Sequence, residues 1–201
     1  MWVEHLWPWI TQNYVELVAT VTGLIYLYYS IQGNKLLWIY GFITSGIYVF
    51  VCYQAGIYAD MGINLYYVGV SIYGWLHWTF YRTEKESEIP VTKTRLIEFL
   101  VLSLVTLFFY VFITFILVRY TDSTIPYWDA LTTSLSITAT WMLARKMLEH
   151  WLIWIFVDAV SVALYLYKGL YSTSFLFLVY TVMAVIGYLQ WKKQIKTQEQ
   201  K

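Results

Sequence analysis

Long apolar runs broken by short polar segments are the main pattern along this chain. Seven runs stand out, at 14–31, 36–53, 61–80, 96–118, 128–146, 151–167 and 172–191. A bilayer core about 30 Å thick needs roughly 20 mostly apolar residues in a helix, so each run predicts a membrane-spanning helix. The breaks between them are brief, such as QGNK at 32–35 or Lys168-Gly169. The longest, TEKESEIPVTKT at 83–94, is polar, mixed in charge and contains Pro90. It reads as a linker between two halves.

Composition strengthens the membrane reading. Apolar residues make up 60% of the chain and charged residues 12%, against about 45–50% and 25% in a soluble domain. A 201-residue soluble fold would need far more polar surface than this. The aromatic share is 21%, and Trp and Tyr gather where lipid meets water or line pockets for flat ligands. The net charge of +1 gives no footprint for nucleic acid. The single cysteine, Cys52, cannot form an intrachain disulfide. The N-terminal MWVEHLWPWITQ has neither the basic head nor the apolar stretch of a secretory signal. Its tryptophans predict a short interfacial segment.

Basic residues are segregated along this topology. Lys35, Arg82, Lys85, Lys93, Arg95, Arg145, Lys146, Lys192, Lys193, Lys196 and Lys201 fall on one side, and only Arg119 and Lys168 on the other. The excess marks the cytoplasmic face. The C-terminus is therefore expected inside and the N-terminus outside, which requires an odd number of spans.

The chain also matches itself at an offset of 113 residues. Tyr14 falls on Tyr127, Thr20 on Thr133, Trp38 on Trp151 and Gly56 on Gly169, without a gap. Tyr58 falls on Tyr171, Tyr67 on Tyr180, Gly74 on Gly187 and Trp78 on Trp191, and Glu16 meets Asp129. The expected architecture is all-α and polytopic, a single membrane domain over 1–201. Three-helix repeats at 14–81 and 127–191 flank a linker helix at 96–118. Equivalent spans are four apart, so the repeats run parallel. Parallel repeats are a transporter signature, with substrate held near the bilayer midplane.

No enzyme motif competes with this reading. His5, His77 and His150 sit in no HExxH frame, and there is no P-loop, GxGxxG or GxSxG. No cofactor is implied. Polar residues within spans are the functional candidates, because lipid makes them costly. Trp151, Trp154 and Asp158 share a face of the sixth span at i, i+3 and i+7. Two indoles and a carboxylate suit a flat aromatic cation, through stacking, cation–π contact and charge balance. Trp151 serves equally well as an interfacial anchor, and Asp158 could instead pair with a hydroxyl in the core. In the third span Asn64, Tyr67, Ser71 and Trp75 form another face, where Asn64 and Ser71 either bond a ligand or bond neighbouring helices. Asp60 is expected to cap that span. Thr138 and Thr140 are expected to bond back to their own helix. Glu16 and Asp129 form candidate gates or interfacial pairs.

The stretch YADMGINLYYVGVSIYGWLHW resembles the third-span signature of the PnuC family of bacterial vitamin transporters. ALTTSLSITATWMLARKMLEHWLIWIFVDAVSVALYLYKGL resembles that family's fifth-to-sixth-span signature, including a WxxWxxx(N/D) element. The likeness runs over essentially the whole chain. It implies a fold similar to the sugar-transporting SWEETs, and a permease of the bacterial cytoplasmic membrane. It also implies facilitated diffusion of a vitamin, chiefly nicotinamide riboside, with thiamine carried by a relative. A cytoplasmic kinase would trap the vitamin, and homotrimers occur in the family. The carriers of nicotinamide riboside tend to have Gln at the position of Asn64, and Asn at those of Ser71 and Asp158. Those departures leave the vitamin open between the two, both of which carry a cationic aromatic ring. A scaffold that transports nothing is the remote alternative.

The orientation is testable by labelling intact cells from outside. On a Cys52→Ser background, Asp122→Cys should be modified and Gln198→Cys protected; the reverse pattern would overturn the seven-span topology.

Overall fold

The computed structural model describes residue 18 and residues 21–55, 58–80, 89–167 and 169–198. All regular structure in these segments is helical, apart from one isolated β-bridge between Thr92 and Met147. The helices are α1 (described over 21–32), α2 (Leu37–Ala55), α3 (Tyr58–Phe80), α4 (Leu96–Tyr120), α5 (Pro126–Ala144), α6 (His150–Tyr167) and α7 (Tyr171–Gln198). They fall in two compact units, 1–82 and 83–201. In the first, α2 packs on α3. In the second, α4 packs on α5, α5 on α6 and α6 on α7.

The helices lie where the apolar runs predict, within a few residues, with one exception. α7 continues seven residues past the expected 191, through KKQIKTQ. Hydropathy marks where lipid ends, not where hydrogen bonding ends, and Lys and Gln are good helix formers. Trp191 and Ile195 stay buried on this extension, while Lys192, Lys193 and Lys196 are exposed. At 28 residues the helix is about 42 Å long, longer than the roughly 30 Å hydrocarbon core.

Among the described residues, four helices are long and apolar enough to cross a membrane by length and composition alone: α2, α4, α6 and α7. α3 and α5 are less apolar because they carry Asn64 and Ser71, and Ser134, Ser136, Thr138 and Thr140. In α5 these hydroxyls are buried and bond back along the helix. Thr138 Oγ1 donates to Ser134 O at 3.2 Å, Thr140 Oγ1 to Ser136 O at 2.8 Å and Ser136 Oγ to Thr132 O at 2.8 Å. That satisfies them without water, as lipid requires. Thr138 also meets Thr106 of α4 at 2.6 Å, joining the two helices. α4 has no buried residue and presents Leu104, Phe108, Val111, Phe112 and Phe115 outward, an apolar surface suited to lipid.

Each unit contains the same two devices, 113 residues apart. The first is a helix-ending turn. Gly33 (φ 66°) ends α1, with Gly33 N bonding Ser30 O at 3.0 Å and Asn34 N bonding Tyr29 O at 3.0 Å. Lys146 (φ 53°) ends α5, with Lys146 N bonding Leu143 O at 2.9 Å and Met147 N bonding Met142 O at 3.0 Å. Both are Schellman caps with a left-handed residue at C′. Glycine adopts that conformation freely, whereas a lysine there costs about 1 kcal/mol or more. Lys146 is held by the preceding linker. Its Nζ donates to Ile89 O at 3.0 Å, and its carbonyl accepts from Thr92 N at 3.0 Å. Leu148 N donates to Thr92 O at 2.8 Å, and the Glu149 carboxylate accepts from Thr94 N at 2.8 Å and Thr94 Oγ1 at 2.6 Å.

The second device is a tryptophan laid on a glycine. Trp38 of α2 packs so tightly on Gly74 of α3 that a methyl group there would overlap its ring. Trp151 of α6 lies on Gly187 of α7, where a Cβ would stand 2.6 Å from it. Trp78 then meets Trp38 edge to face (5.5 Å, 89°), and Trp191 meets Trp151 likewise (5.8 Å, 88°). Trp38, Trp151 and Trp191 are almost wholly buried.

The locks should be the sites least tolerant of added volume. Gly74→Ala and Gly187→Ala are each expected to cost about 1–3 kcal/mol by overpacking. Gly46→Ala and Gly62→Ala, which meet nothing within 4 Å, should be neutral or stabilising by up to about 1 kcal/mol. Thermal unfolding of the four variants in detergent would check this; equal tolerance at all four would show that the locks do not hold the helices.

Candidate functional site

The polar face of α6 is the best candidate in the second unit. α6 is continuous from His150 to Tyr167, so Trp151, Trp154 and Asp158 do share a helix face. Their surroundings differ. Trp151 is 1% exposed and wedged among His150, Gly187 and Trp191. That is the position of a packing residue, whose counterpart is Trp38. Trp154 is only half-buried, which leaves part of its indole open to a ligand. Asp158, one turn further on, is 5% exposed. It has no hydrogen-bond or ion-pair partner among the described residues. Buried charges are normally paired, so an unpartnered carboxylate one turn from an accessible indole invites a cationic aromatic ligand. Ser161, also buried, extends the stripe by one more step.

The α3 candidates lie in the first unit and are engaged locally. Asn64 Nδ2 donates to Asp60 O at 2.9 Å, within its own helix. Ser71 is buried, and its Oγ would lie 3.1 Å from a Cβ on Gly41. Tyr67 is half-buried, with its ring 5.6 Å from Tyr66. Trp75 holds the Lys35 ammonium 5.4 Å above its ring, a contact that suits the edge of the membrane. Asp60 lies in the first turn of α3, where a carboxylate complements the helix dipole. Of the two candidate gate residues, Asp129 accepts from Ser123 Oγ at 2.7 Å at the start of α5, and Glu16 lies outside the described residues.

Sequence reasoning considered His150 only as a possible metal ligand and Lys146 only as a basic residue of the cytoplasmic side. Both are buried polar side chains. The signal available for Lys146 was its alignment with Gly33 across the repeat offset. Among the described residues no three His, Cys, Asp or Glu side chains converge on a possible metal site.

A helical, multi-pass membrane protein whose polar groups gather on a few faces of its spans has the build of a small-molecule transporter. The comparisons agree. Residues 13–193 match the family model described as nicotinamide mononucleotide transporter. The nicotinamide riboside transporter PnuC of Escherichia coli (strain K12) is 23% identical over 203 residues, covering 89% of this chain and 85% of that one. The PnuC of Neisseria mucosa is 25% identical over 196 residues, with 92% and 74% covered. The riboflavin/roseoflavin transporter RibM of Streptomyces davaonensis is 25% identical over 179 residues, with 88% and 83% covered. The crystal structure of the vitamin B3 transporter PnuC shares the fold, with a TM-score of 0.74 at 22% identity over 96% of this chain and 87% of that one. The chain belongs to the nicotinamide mononucleotide transporter family, that of the PnuC transporters. It is a multi-pass membrane protein of a transporter family.

The contrast between the two α6 tryptophans is measurable. Trp151→Ala should destabilise the protein by about 3–5 kcal/mol, as expected for emptying a packed aromatic site, and Trp154→Ala should leave stability near wild type. Thermal unfolding in detergent would show it; similar losses for both would make Trp154 a packing residue too.

Proposed function

We propose that this protein is a cytoplasmic-membrane permease for nicotinamide riboside. Uptake runs downhill by facilitated diffusion, and a cytoplasmic kinase traps the product by phosphorylation. The observation that carries the substrate class is Asp158, a buried carboxylate without a protein partner one turn from the half-open Trp154 ring. A pyridinium or thiazolium ring supplies both what Trp154 can stack on and the positive charge that Asp158 lacks. A neutral ring such as the flavin named for the Streptomyces relative supplies only the first. Trp151 on α6, and Tyr67, Ser71, Asn64 and Trp75 on α3 of the first unit, are the other candidate binding residues.

The architecture we propose is seven spans in two parallel three-helix repeats joined by a linker helix, as in the SWEETs. The support is the equivalence of the two turns and the two Trp–Gly locks at one sequence offset. Assembly as a homotrimer belongs to the same proposal, resting on the family resemblance.

Thiamine is the second reading, favoured by the acid at 158 where carriers of nicotinamide riboside tend to have Asn. One substitution separates the two. Asp158→Asn keeps the shape and removes the charge. It should weaken binding of thiamine more than that of nicotinamide riboside, whose carriers tend to have Asn at this position. Calorimetry of both proteins with nicotinamide riboside, thiamine and riboflavin decides. Trp154→Ala should cost roughly 1–3 kcal/mol of affinity for the true substrate, with Trp154→Phe costing less. Failure of the wild type to bind either cationic vitamin at millimolar concentration would overturn the substrate class. Accumulation above the external concentration in liposomes holding no kinase would overturn the downhill mechanism.

A further inference from the structure

His150 is a buried titratable group that the proposed clamp does not use, and the first unit provides a control for it. Leu37 and His150 stand at matching positions, each four residues after the left-handed residue of its turn. Each is 0% exposed. Leu37 N bonds Asn34 O at 3.1 Å, and His150 N bonds Met147 O at 3.4 Å. Leu37 fills its place with hydrocarbon alone, so the packing there does not require a polar ring.

The imidazole brings a polar atom that nothing satisfies. Nδ1 lies 2.7 Å from Met147 O, which can only accept. Nδ1 therefore carries the proton, and in the neutral ring Nε2 is a bare acceptor. Nε2 is buried and meets no donor among the described residues; the neighbouring Trp151 Nε1 and its counterpart Trp38 Nε1 likewise meet no acceptor, but His150 has no polar counterpart in the first unit. An unpaired buried acceptor is destabilising, and such exceptions call for an explanation.

Position gives one. His150, Trp154 and Asp158 recur at i, i+4 and i+8 on α6, about 6 Å apart per step. Their counterparts on α2 are Leu37, Gly41 and Ser45. The second unit alone thus lines up an acceptor, an aromatic ring and a carboxylate. We propose that His150 Nε2 is a further ligand-binding residue, accepting a hydrogen bond from a hydroxyl of the vitamin as it moves along α6 past the Trp154 ring. The inference rests on the proposed Trp154–Asp158 clamp and extends it to the ligand's tail. It specifies a donor-bearing tail, a sugar or alcohol hydroxyl, since Nε2 cannot donate. In this structure Trp151 (centroids 4.5 Å apart) and Trp191 (4.8 Å) shut the imidazole in. The contact therefore forms only when that cluster parts, and its loss falls on turnover rather than on first binding.

The test uses the full chain in liposomes and nicotinamide riboside, with its 5′-deoxy and 2′,3′-dideoxy analogues. His150→Leu copies the first unit. It should lower the maximal uptake rate about tenfold, the factor of roughly one hydrogen bond, while calorimetric affinity changes less than about twofold. His150→Gln, which keeps an acceptor, should recover part of the rate. The analogue lacking the hydroxyl that His150 receives should slow the wild type to the rate of His150→Leu and have no further effect on that variant. Wild-type uptake by His150→Leu would overturn the proposal, as would a loss that is the same for every analogue. Should His150→Leu not fold, the wild type alone decides: equal rates for all three ligands refute the proposal, and one slow analogue upholds it. Uptake by the wild type with no effect at His150 sinks only this inference; absence of binding by the wild type sinks the clamp beneath it.

Discussion

Tryptophan rings seated on glycine backbones hold the helices of each unit together. Within a bilayer, helices gain little from burying apolar side chains, because lipid is as apolar as leucine. Close approach and van der Waals contact must do that work. Gly74 and Gly187 permit it, giving Trp38 and Trp151 flat backbone to lie against, and Trp78 and Trp191 close the contact edge to face. The left-handed turns at Gly33 and Lys146 come five residues before these tryptophans and set where α2 and α6 begin. Removing either glycine would move a ring that has no other place to go.

The same solvent decides how polar groups are treated. With no water at depth, a hydroxyl must bond to its own helix or to a neighbour. The Ser and Thr residues of α5 do both, which is how a helix rich in polar residues can sit at the centre of the second unit. Against that background His150 Nε2 lacks a partner, as do Trp38 Nε1, Thr79 Oγ1, Thr114 Oγ1 and Trp151 Nε1, and the buried Asp158 joins His150 on α6. A family that carries vitamins has reason to leave a few polar atoms unsatisfied until a ligand arrives. The first unit has Ser45 and Leu37 at the matching positions.

The sequence already contained the helices, their number and the self-match at 113 residues. Hydrophobic run length is a local property, and lipid makes it nearly sufficient to place a helix. The grouping of Trp151, Trp154 and Asp158 on one face followed from helical periodicity for the same reason. The sequence left Trp151 open as an interfacial anchor, but it could not show what either indole packs against. Only packing against Gly187, 36 residues away in the chain, makes Trp151 a wedge and leaves Trp154 half-open.

Other features also waited for the tertiary structure. The α7 extension beyond residue 191 is polar and invisible to hydropathy, and it is marked by the burial of Trp191 and Ile195. Asn64 was open between a ligand and a neighbouring helix, and its amide bonds Asp60 O of its own helix, while Trp75 lies under the Lys35 ammonium. Lys146 counted only as a basic residue of the cytoplasmic side, and it is a buried strap joining the linker to the end of α5. The sequence by itself determined the solvent, the helices and the chemistry each helix face can offer, because those depend on neighbours three or four residues apart. Which polar atoms are satisfied and which are left for a ligand depends on side chains from distant parts of the chain, and only the tertiary structure could decide it.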